Sequence, residues 1–424
     1  MPVSVVRRVV SELPPSPVHV AGEAKAPLAI DPLTVLIAVP TLDIGAADAG
    51  ALDLVRVLTA AGHKAIVVSQ GGRLVPEAVR CGAEFVALNM ASNNPVTMLR
   101  NALTLLRLVR EKRCDLVHAH GRASAWSAFF AARAAHVPFL TSWYKGFREQ
   151  NVLKRLYNSI MVRGDRVIAV SEQIAQLIND RYGTPWSRIC VLPASVDLAR
   201  FDATKVPAAR IEAVRAAWGV TPSTKVILVV GRMLRRKGHH VVVRAVRRLK
   251  DRGVKDFLCV FVGEDQGHTH YSGELWDLVL STKTVDVIRT NNAGQDLAAA
   301  YAAATVVVSA AVQPEGMPRS ILEAQAMARP VVVSDLGAGP EVVLAPPAVS
   351  DDRITGLRFA ADDDAGLATA LLRVFSMPEP ARRAIGERGR AWVLTHFNPP
   401  AIAEQTLALY AEATASRRES LQIR

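Results

Sequence analysis

Cysteine is scarce in this chain of 424 residues, and long apolar runs are missing. The four cysteines, Cys81, Cys114, Cys190 and Cys259, are scattered without a CxxC pair, which favours reduced, buried thiols in a cytoplasmic protein. No apolar run reaches the roughly 18 residues that a membrane-spanning helix requires. Residues 1–32 lack the apolar centre of a signal peptide and contain Pro14, Pro15, Pro17, Pro27 and Pro32, so we expect a loose N-terminal extension.

Motifs of several other enzyme classes are also absent. The first predicted βα turn reads TLDIGAADAG, without a GxGxxG pattern, so a nicotinamide-dependent dehydrogenase is disfavoured. No DxD pair stands at a predicted strand end. His118 and His120 alternate onto one face of a strand, but no third ligand has suitable spacing, so a metal site is disfavoured. The sequence therefore predicts neither a metal nor a cofactor.

The chain is basic, with a formal net charge of +12, and the charge is uneven. Residues 1–210 contain 25 lysines and arginines against 16 acidic residues, whereas the remainder contains 26 against 23. The arginines are not interleaved with aromatic residues and no recognised binding module is visible, so we expect no nucleic-acid partner. Phosphate-bearing substrates or an anionic membrane surface fit this charge better.

The order of apolar segments predicts an α/β protein with two doubly wound domains, because 424 residues are too many for one ordinary core. Strand-like runs alternate with helical stretches, as in parallel sheets covered on both faces. The predicted strands are Val35–Val39, Ala65–Ser69, Phe85–Leu88, Asp115–His118, Phe139–Ser142, Val167–Val170, Ile189–Leu192, Val226–Val230, Leu258–Val262, Val285–Ile288, Val306–Ser309 and Val331–Ser334.

A break in this alternation predicts the domain boundaries. Residues 201–223 contain Pro207 and Pro222 and are predicted to link a first domain at 33–200 to a second at 224–390. Helices at 391–424 should follow, with a kink at Pro399-Pro400. Ligands of doubly wound folds bind where strands end, so the cleft between the two sheets is the expected site.

The segment at residues 313–343 carries the clearest functional pattern. It predicts a loop with Glu315 and Gly316, a helix whose first position is Pro318, a buried strand (PVVVSD) and a second glycine-bearing loop. A helix N-terminus at a sheet edge is a ready anion site. Glu323 lies about 8 Å along the helix from Pro318, which is close to the length of a diphosphate. The two glutamates fit a bound nucleotide-sugar, or they are an ordinary solvated pair.

Several motifs, in order and spacing, carry a resemblance to a known family. Seven residues separate Glu315 from Glu323, with glycine after the first and LEA around the second. Upstream, VGR (230–232) and RKG (236–238) follow a predicted strand, and HAHGRASAWSAFF, YNSIMVRGDRVIAVSE and VGEDQG match further segments. In these features residues 33–412 resemble the retaining GT-B glycosyltransferases of family four, including the group 1 enzymes of bacterial cell-surface polysaccharide and lipopolysaccharide synthesis. The resemblance implies two Rossmann-like domains that face each other across a cleft.

The resemblance also implies site residues. Arg232 and Lys237 would hold the donor diphosphate, although both also fit an ordinary solvated basic turn. Glu315 would bind sugar hydroxyls and Glu323 the ribose. His120 corresponds to the active-site histidine at the donor sugar, and the alternative is a histidine that only caps a strand end. The catalytic candidates are therefore His120, Glu315, Arg232 and Lys237, and the further donor-binding candidates are Gly45, Gly231, Gly316, Met317, Pro318, Arg319, Ser320 and Glu323.

Three positions depart from the family pattern. Gly45 stands alone where relatives often have two adjacent glycines. Lys145 stands where relatives commonly have histidine, and it either pairs with a phosphate or carboxylate in the cleft or is solvated. Pro318 replaces a glycine of the subgroup and removes one backbone donor.

The resemblance implies a metal-independent enzyme that moves a sugar from a nucleotide-diphosphate donor to a glycan or lipid-linked acceptor with retention. The expected setting is cytoplasmic, in cell-envelope polysaccharide or lipopolysaccharide synthesis. A GT-B epimerase would need a general base in the cleft and is disfavoured by the glutamate spacing. A non-catalytic relative that binds partners during glycan assembly is the alternative from another class, which the thinned glycine loop and Lys145 favour.

Two basic amphipathic segments, Leu99–Arg113 and Asn151–Arg163, bear on location. Such helices can rest on anionic lipid at the inner face of the membrane. Alternatively, their apolar faces only cover the parallel sheet. The excess of positive charge in the first half favours a peripheral membrane protein.

Overall fold

The computed structural model describes residues 31–147, 151–265, 267, 269–291 and 296–422. These residues form two parallel sheets covered by helices, which confirms the predicted fold class. The strands are near-continuous runs of valine, isoleucine and leucine because helices cover both faces of each sheet. Apart from residues 31 and 32, the predicted N-terminal extension lies outside the described residues.

The first sheet has seven parallel strands in the order β3-β2-β1-β4-β5-β6-β7. The strands are β1 Thr34–Ala38, β2 Lys64–Ser69, β3 Glu84–Ala87, β4 Leu116–Ala119, β5 Phe139–Trp143, β6 Arg166–Ala169 and β7 Ile189–Val191. The helices are α1 Ala46–Ala60, α2 Val75–Arg80, α3 Pro95–Glu111, α4 Arg122–Ala135, α5 Val152–Asn158 and α6 Glu172–Tyr182, with 3-10 turns at Ser159–Val162 and Trp186–Arg188. All seven predicted strands are present, with ends shifted by one residue at most.

The second sheet has six parallel strands in the order β10-β9-β8-β11-β12-β13. They are β8 Lys225–Val230, β9 Phe257–Val262, β10 Ile288–Asn291, β11 Val306–Ser309, β12 Val331–Ser334 and β13 Leu357–Phe359. The helices of this half are α7 Ala208–Trp218, α8 His239–Asp251, α9 Thr269–Ser281, α10 Leu297–Ala303, α11 Arg319–Ala326, α12 Gly339–Val342, α13 Asp364–Ser376, α14 Glu379–His396 and α15 Pro399–Gln422, with 3-10 turns at Ala203–Lys205 and Arg235–Lys237.

Two strand predictions in the second half were wrong. The strand predicted at Val285–Ile288 begins only at Ile288, because Val285 is exposed and Val287 closes a turn by donating to the carbonyl of Thr284. The edge strand β13 was missed. It has three residues with Arg358 in the middle, which is too short and too polar for an apolar-run criterion.

The predicted linker contains more structure than one short helical piece. Helix α7 covers eleven residues within 201–223, and Trp218 at its end is buried with Phe201 in the apolar core of the second sheet. The linker residues therefore pack as part of the second half. The boundaries predicted at 33–200 and 224–390 stay predictions.

The C-terminal helices connect the two halves. Helices α14 and α15 are separated at Phe397 and Asn398, so Pro399-Pro400 begins a helix, where the missing N–H groups cost nothing, and does not kink one. On α15, the Tyr410 hydroxyl lies 2.5 Å from His118 Nδ1 of the first sheet. Glu412 forms an ion pair with Arg166 at the start of β6.

Three further contacts join the halves near the cleft. Arg319 of α11 forms an ion pair with Asp53 of α1 at 2.8 Å. Arg73 pairs with Glu264 at 3.1 Å. The carboxylate of Glu341 accepts from the first two backbone N–H groups of α6, each at 2.9 Å, so one domain caps a helix of the other.

All four cysteines are free thiols; Cys114 and Cys259 are buried, and Cys81 and Cys190 are half-buried. None of the helices that the structure describes has the length and apolar character that crossing a membrane requires.

Candidate active site

A cluster of aromatic rings lies on the floor of the cleft at the end of β4. His118 and His120 point to one face, as the alternation predicts, with ring centroids 4.3 Å apart. His118 is held by Tyr410 and by Ser142, whose hydroxyl lies 2.8 Å from Nε2. Burial lowers the pKa of His118 well below its usual value and the pKa of His120 to about 3. Both rings are therefore neutral at physiological pH.

Tyr144, which follows β5, links His120 to the loop that contains Glu315 and Gly316. Its hydroxyl lies 2.9 Å from His120 Nδ1, and the two rings stack at 5.7 Å. On its other side, the Tyr144 carbonyl oxygen would lie 2.1 Å from a Cβ atom at Gly316. Gly316 is therefore required where its loop approaches the first domain. This role of Tyr144 was not predicted from the sequence, although its position beside Lys145 was a signal.

A basic turn follows β8 in the second domain. Gly238 ends it with φ of 71°, and a Cβ atom there would lie 1.7 Å from the carbonyl oxygen of Ala310, so only glycine fits. Within the turn, Arg236 and Lys237 point to the same carboxylate oxygen of Glu315. The arginine lies 3.2 Å from this oxygen, and the lysine contacts it directly. The two cations are therefore held at the cleft by Glu315, and this turn is not an ordinary solvated one.

Arg232 and Gly231 lie at the end of β8, on the approach to this turn. Burial and the neighbouring Arg236 lower the pKa of the Arg232 guanidinium. Gly231 has φ of 153°, which favours glycine, and it lies beside the Lys237 side chain. The structure therefore brings Arg232 and Lys237 together with a third cation, Arg236, which is not among the site residues predicted from the sequence.

Glu315 and Glu323 lie on either side of the α11 N-terminus, as predicted. Glu315 is 8% exposed and paired with two cations, so it is not an ordinary solvated carboxylate. Glu323 is half-buried and accepts a 2.7 Å hydrogen bond from the Tyr301 hydroxyl. Burial raises the pKa of Glu323, while this hydrogen bond acts in the opposite direction.

Helix α11 begins one residue later than predicted, at Arg319, with Pro318 as its N-cap. Pro318 provides no side-chain cap. The N–H of Arg319 donates to the Met317 carbonyl at 3.0 Å and that of Ile321 to the Pro318 carbonyl at 2.9 Å, so among the described residues the N–H of Ser320 is the first-turn donor left for an anion. Two donor-site candidates have packing roles instead: Met317 packs against the cores of both sheets, and Arg319 pairs with Asp53.

At the opposite wall, Gly45 is the extended N-cap of α1 and has no side-chain cap hydrogen bond. Asp48, in the first turn, is 7% exposed and accepts from the Thr41 hydroxyl at 3.3 Å. Burial raises the pKa of this carboxyl. Asp48 was not predicted as a cleft residue from the sequence. The only signal for it was an acidic residue in the turn after β1.

Lys145 reaches solvent at the mouth of the cleft. In the part of the chain that the structure describes, its ammonium group makes no hydrogen bond or ion pair. Burial lowers the pKa of Lys145, as do Arg236, Arg122 and Arg232. The lysine therefore stands in a cluster of like charges. Among the described residues, no three His, Cys, Asp or Glu side chains come together as a metal site would require.

Two family descriptions match the chain, one in each half. "Glycosyltransferase Family 4" matches residues 48–200, and "Glycosyl transferases group 1" matches residues 224–377. The D-inositol 3-phosphate glycosyltransferase of Kineococcus radiotolerans is 30% identical over 72% of this chain and 73% of the relative. The enzyme of the same name from Actinosynnema mirum is 32% identical over 62% of this chain, which spans only 61% of that relative.

Two solved glycosyltransferase structures are also similar to this chain. A glycosyltransferase from Rickettsia africae has a TM-score of 0.81 and 27% identity, covering 91% of this chain and 99% of that one. Alr3699/HepE from Anabaena, in complex with UDP-glucose, has a TM-score of 0.77 at 19% identity, covering 91% and 100%. At that identity, the second likeness concerns the fold alone.

Proposed function

Because the chain belongs to glycosyltransferase family 4 and has the GT-B fold, we propose that it moves a sugar from a nucleotide-diphosphate donor to a glycan or lipid-linked acceptor. The observation that carries this proposal is the basic turn after β8, whose Arg236 and Lys237 contact Glu315 beside the N-terminus of α11. Cations and a helix N-terminus at one place suit a diphosphate.

The donor then extends along α11. Arg232 and Lys237 hold the diphosphate, together with the backbone of Gly45, Gly231 and residues 316–320. Lys237 can do this while it contacts Glu315, because an ammonium group has three N–H donors. Glu315 binds sugar hydroxyls, and Glu323 binds the ribose.

We propose transfer with retention, by attack on the face from which the diphosphate departs. The bond from the anomeric carbon to the diphosphate breaks, a bond to the acceptor oxygen forms on the same face, and the acceptor proton passes to the departing phosphate oxygen. The two cations on Glu315 make it a weak nucleophile, which disfavours a covalent glycosyl-enzyme. Neutral His120 contacts the donor sugar as a hydrogen-bonding group. Positive charge that is fixed before reaction stabilises the leaving group.

We expect transfer with unchanged anomeric configuration and without a divalent metal. A thermal-shift screen of nucleotide-sugars would select the donor, and NMR of the product would report the configuration in the presence of a chelator. Chelator-treated protein should unfold at the same temperature as untreated protein. An inverted product, or activity that chelation abolishes and Mg²⁺ restores, would contradict this mechanism. Binding of the donor without its hydrolysis or transfer would favour the non-catalytic alternative.

We also propose that the enzyme works in the cytoplasm, at the inner face of the membrane, in cell-envelope polysaccharide or lipopolysaccharide synthesis. The names of the curated relatives support a second acceptor chemistry, a hydroxyl group on a phosphorylated polyol. Both acceptors would enter from the first domain.

The surface of helices α3, α4 and α5 supports membrane contact. Helix α3 buries Ala102, Leu105 and Val109 against the sheet, as the alternative interpretation requires. Three further apolar side chains of α3, Val96, Leu99 and Leu103, are exposed on its outer side. The exposed apolar side chains of the three helices are Val96, Leu99, Leu103, Phe130, Val152, Leu153 and Leu156. The three helices contain three, two and two basic residues respectively, against one acidic residue. An apolar patch with this charge suits an anionic bilayer.

We expect the protein to sediment with anionic vesicles and to be released by salt, because each basic residue near the surface contributes about 1 kcal/mol. The double variant Leu99→Gln and Leu153→Gln should bind several-fold more weakly. Leu280→Gln in α9 is the matched control, because Leu280 is 60% exposed and Leu99 is 63% exposed. Equal recovery with neutral and anionic vesicles at low and high salt would contradict membrane contact.

A further inference from the structure

A cationic pocket lies on the first-domain side of the cleft. It has a volume of about 260 Å³ and is bounded by the ends of β4 and β5, with Arg122, Lys145, Phe147 and Tyr157 on its walls. No aspartate or glutamate is among the described residues that line it.

Arg122 is held in this pocket by neutral groups. Its guanidinium donates to Asn158 Oδ1 at 2.7 Å and lies 4.3 Å from the centre of the Phe147 ring. Neither partner neutralises the charge, so the arginine is fixed in position and keeps its attraction for an anion. Lys145 brings a second charge to the same wall.

The donor does not account for this pair. In the proposed function, the diphosphate is held by Arg232 and Lys237 of the second domain, and Glu315 is already paired with Arg236 and Lys237. Lys145 and Arg122 therefore remain as charges without a carboxylate partner among the described residues. Clustered like charges are costly unless a ligand compensates them.

We propose that Lys145 and Arg122 bind a phosphate group of the acceptor and so select a phosphate-bearing acceptor. This inference rests on the proposed transfer reaction. The first turn of α4, a 14-residue helix with Gly121 as its N-cap, adds N–H groups on the same side. The phosphate belongs either to a lipid headgroup or to a soluble acceptor. Tyr157 of α5 lines the pocket, so a lipid bound beneath the exposed helices could reach it.

In the proposed experiment the nucleotide site is saturated first. We use the nucleoside diphosphate, among UDP, GDP and ADP, that raises the melting temperature of the full chain most. Inorganic phosphate is then titrated into this complex by calorimetry. We expect Lys145→Gln and Arg122→Gln each to raise the Kd for phosphate about tenfold or more, because a charged hydrogen bond is lost. Lys145→Arg should restore binding. Lys64→Gln, an exposed lysine at the start of β2, is the matched control and should change nothing.

The Kd of the nucleotide shows whether Lys145 and Arg122 bind the acceptor phosphate or the diphosphate of the donor. It should stay within twofold in both variants. A raised nucleotide Kd with unchanged phosphate binding would overturn the inference, since Lys145 would then serve the donor. Phosphate binding that is equal in wild type and variants would also overturn it. Failure of all three nucleotides to bind would instead refute the proposed transferase, which is a separate result.

Vesicles distinguish the source of the phosphate. Phosphatidylcholine vesicles with about 20% phosphatidate are compared with pure phosphatidylcholine. If the preference for phosphatidate falls in Lys145→Gln but not in Lys64→Gln, the acceptor phosphate belongs to a lipid. If the preference is unchanged while phosphate binding is lost, the acceptor is soluble. Both results support a phosphate-bearing acceptor.

Discussion

Replacing Lys237 by alanine is expected to lower kcat about 100- to 1000-fold, the loss seen when one group that stabilises transition-state charge is removed. In the proposed reaction, negative charge on the diphosphate grows as the bond to the sugar breaks. In this proposal Lys237 stands where the charge develops, and its ion pair with Glu315 fixes its position. An interaction that strengthens in the transition state affects turnover more than ground-state binding. We therefore expect the KM for donor to change much less than kcat.

Arg235→Ala is the matched control for Lys237→Ala. Arg235 belongs to the same basic turn, but its side chain is 63% exposed and pairs with Glu274 outside the cleft. We expect its kcat within about twofold of wild type, because an exposed ion pair contributes little. Steady-state kinetics on both variants at saturating donor measure the difference. Equal losses in the two variants would mean that only the general charge of the turn matters, and unchanged turnover in Lys237→Ala would mean that the donor site is misplaced.

The sequence was most informative where burial is complete. Strands β8, β9, β11 and β12 are continuous apolar runs, because helices cover both faces of the sheet, and such runs are visible without a structure. Edge strands give a weaker signal. The strand β13 packs on one neighbour only and tolerates Arg358 at its centre, so its pairing was not predictable from composition.

Helix α7 shows a second limit of prediction from sequence, the placing of domain boundaries. Two prolines near it suggested a linker, yet Trp218 at its end is buried against the second sheet. Proline marks where a helix begins or ends, but it does not show whether the segment packs. Tertiary contacts, among them those of Trp218, Ile211 and Val214 with the core of the second sheet, assign these residues to the second half.

In the candidate site, too, some residues were predictable from the sequence and others were not. Glu315, Glu323 and Lys237 were predicted from the family resemblance, whose motifs each lie within one segment or one turn of the sequence. Their partners were not found, since Tyr144 and Tyr301 are distant in sequence and become neighbours only through the sheet order. Met317 and Arg319 lie inside the motif, but their side chains join the two halves. A motif therefore indicates where a ligand binds, but not which of its side chains contact that ligand.

The Glu323→Gln variant is expected to show the opposite kinetic pattern to Lys237→Ala. The ribose lies away from the bond that breaks, so its contact with Glu323 should be equally strong in the bound donor and in the transition state. Removing it weakens donor binding by about 1–3 kcal/mol, the usual cost of a lost hydrogen bond to a charged group. The Kd for the nucleotide should then rise about five- to 150-fold. At saturating donor, kcat should stay within about threefold of wild type.

The buried Tyr301 provides the control for this prediction. Glutamine keeps an acceptor for the Tyr301 hydroxyl, so Glu323→Gln should fold normally, with a melting temperature close to that of wild type. Tyr301→Phe removes the 2.7 Å hydrogen bond but leaves the carboxylate, and we expect it to raise the nucleotide Kd only a few-fold. Calorimetry with the preferred nucleotide measures all three proteins. If Glu323→Gln binds nucleotide like wild type, or if its kcat falls as far as that of Lys237→Ala, the ribose does not lie at Glu323.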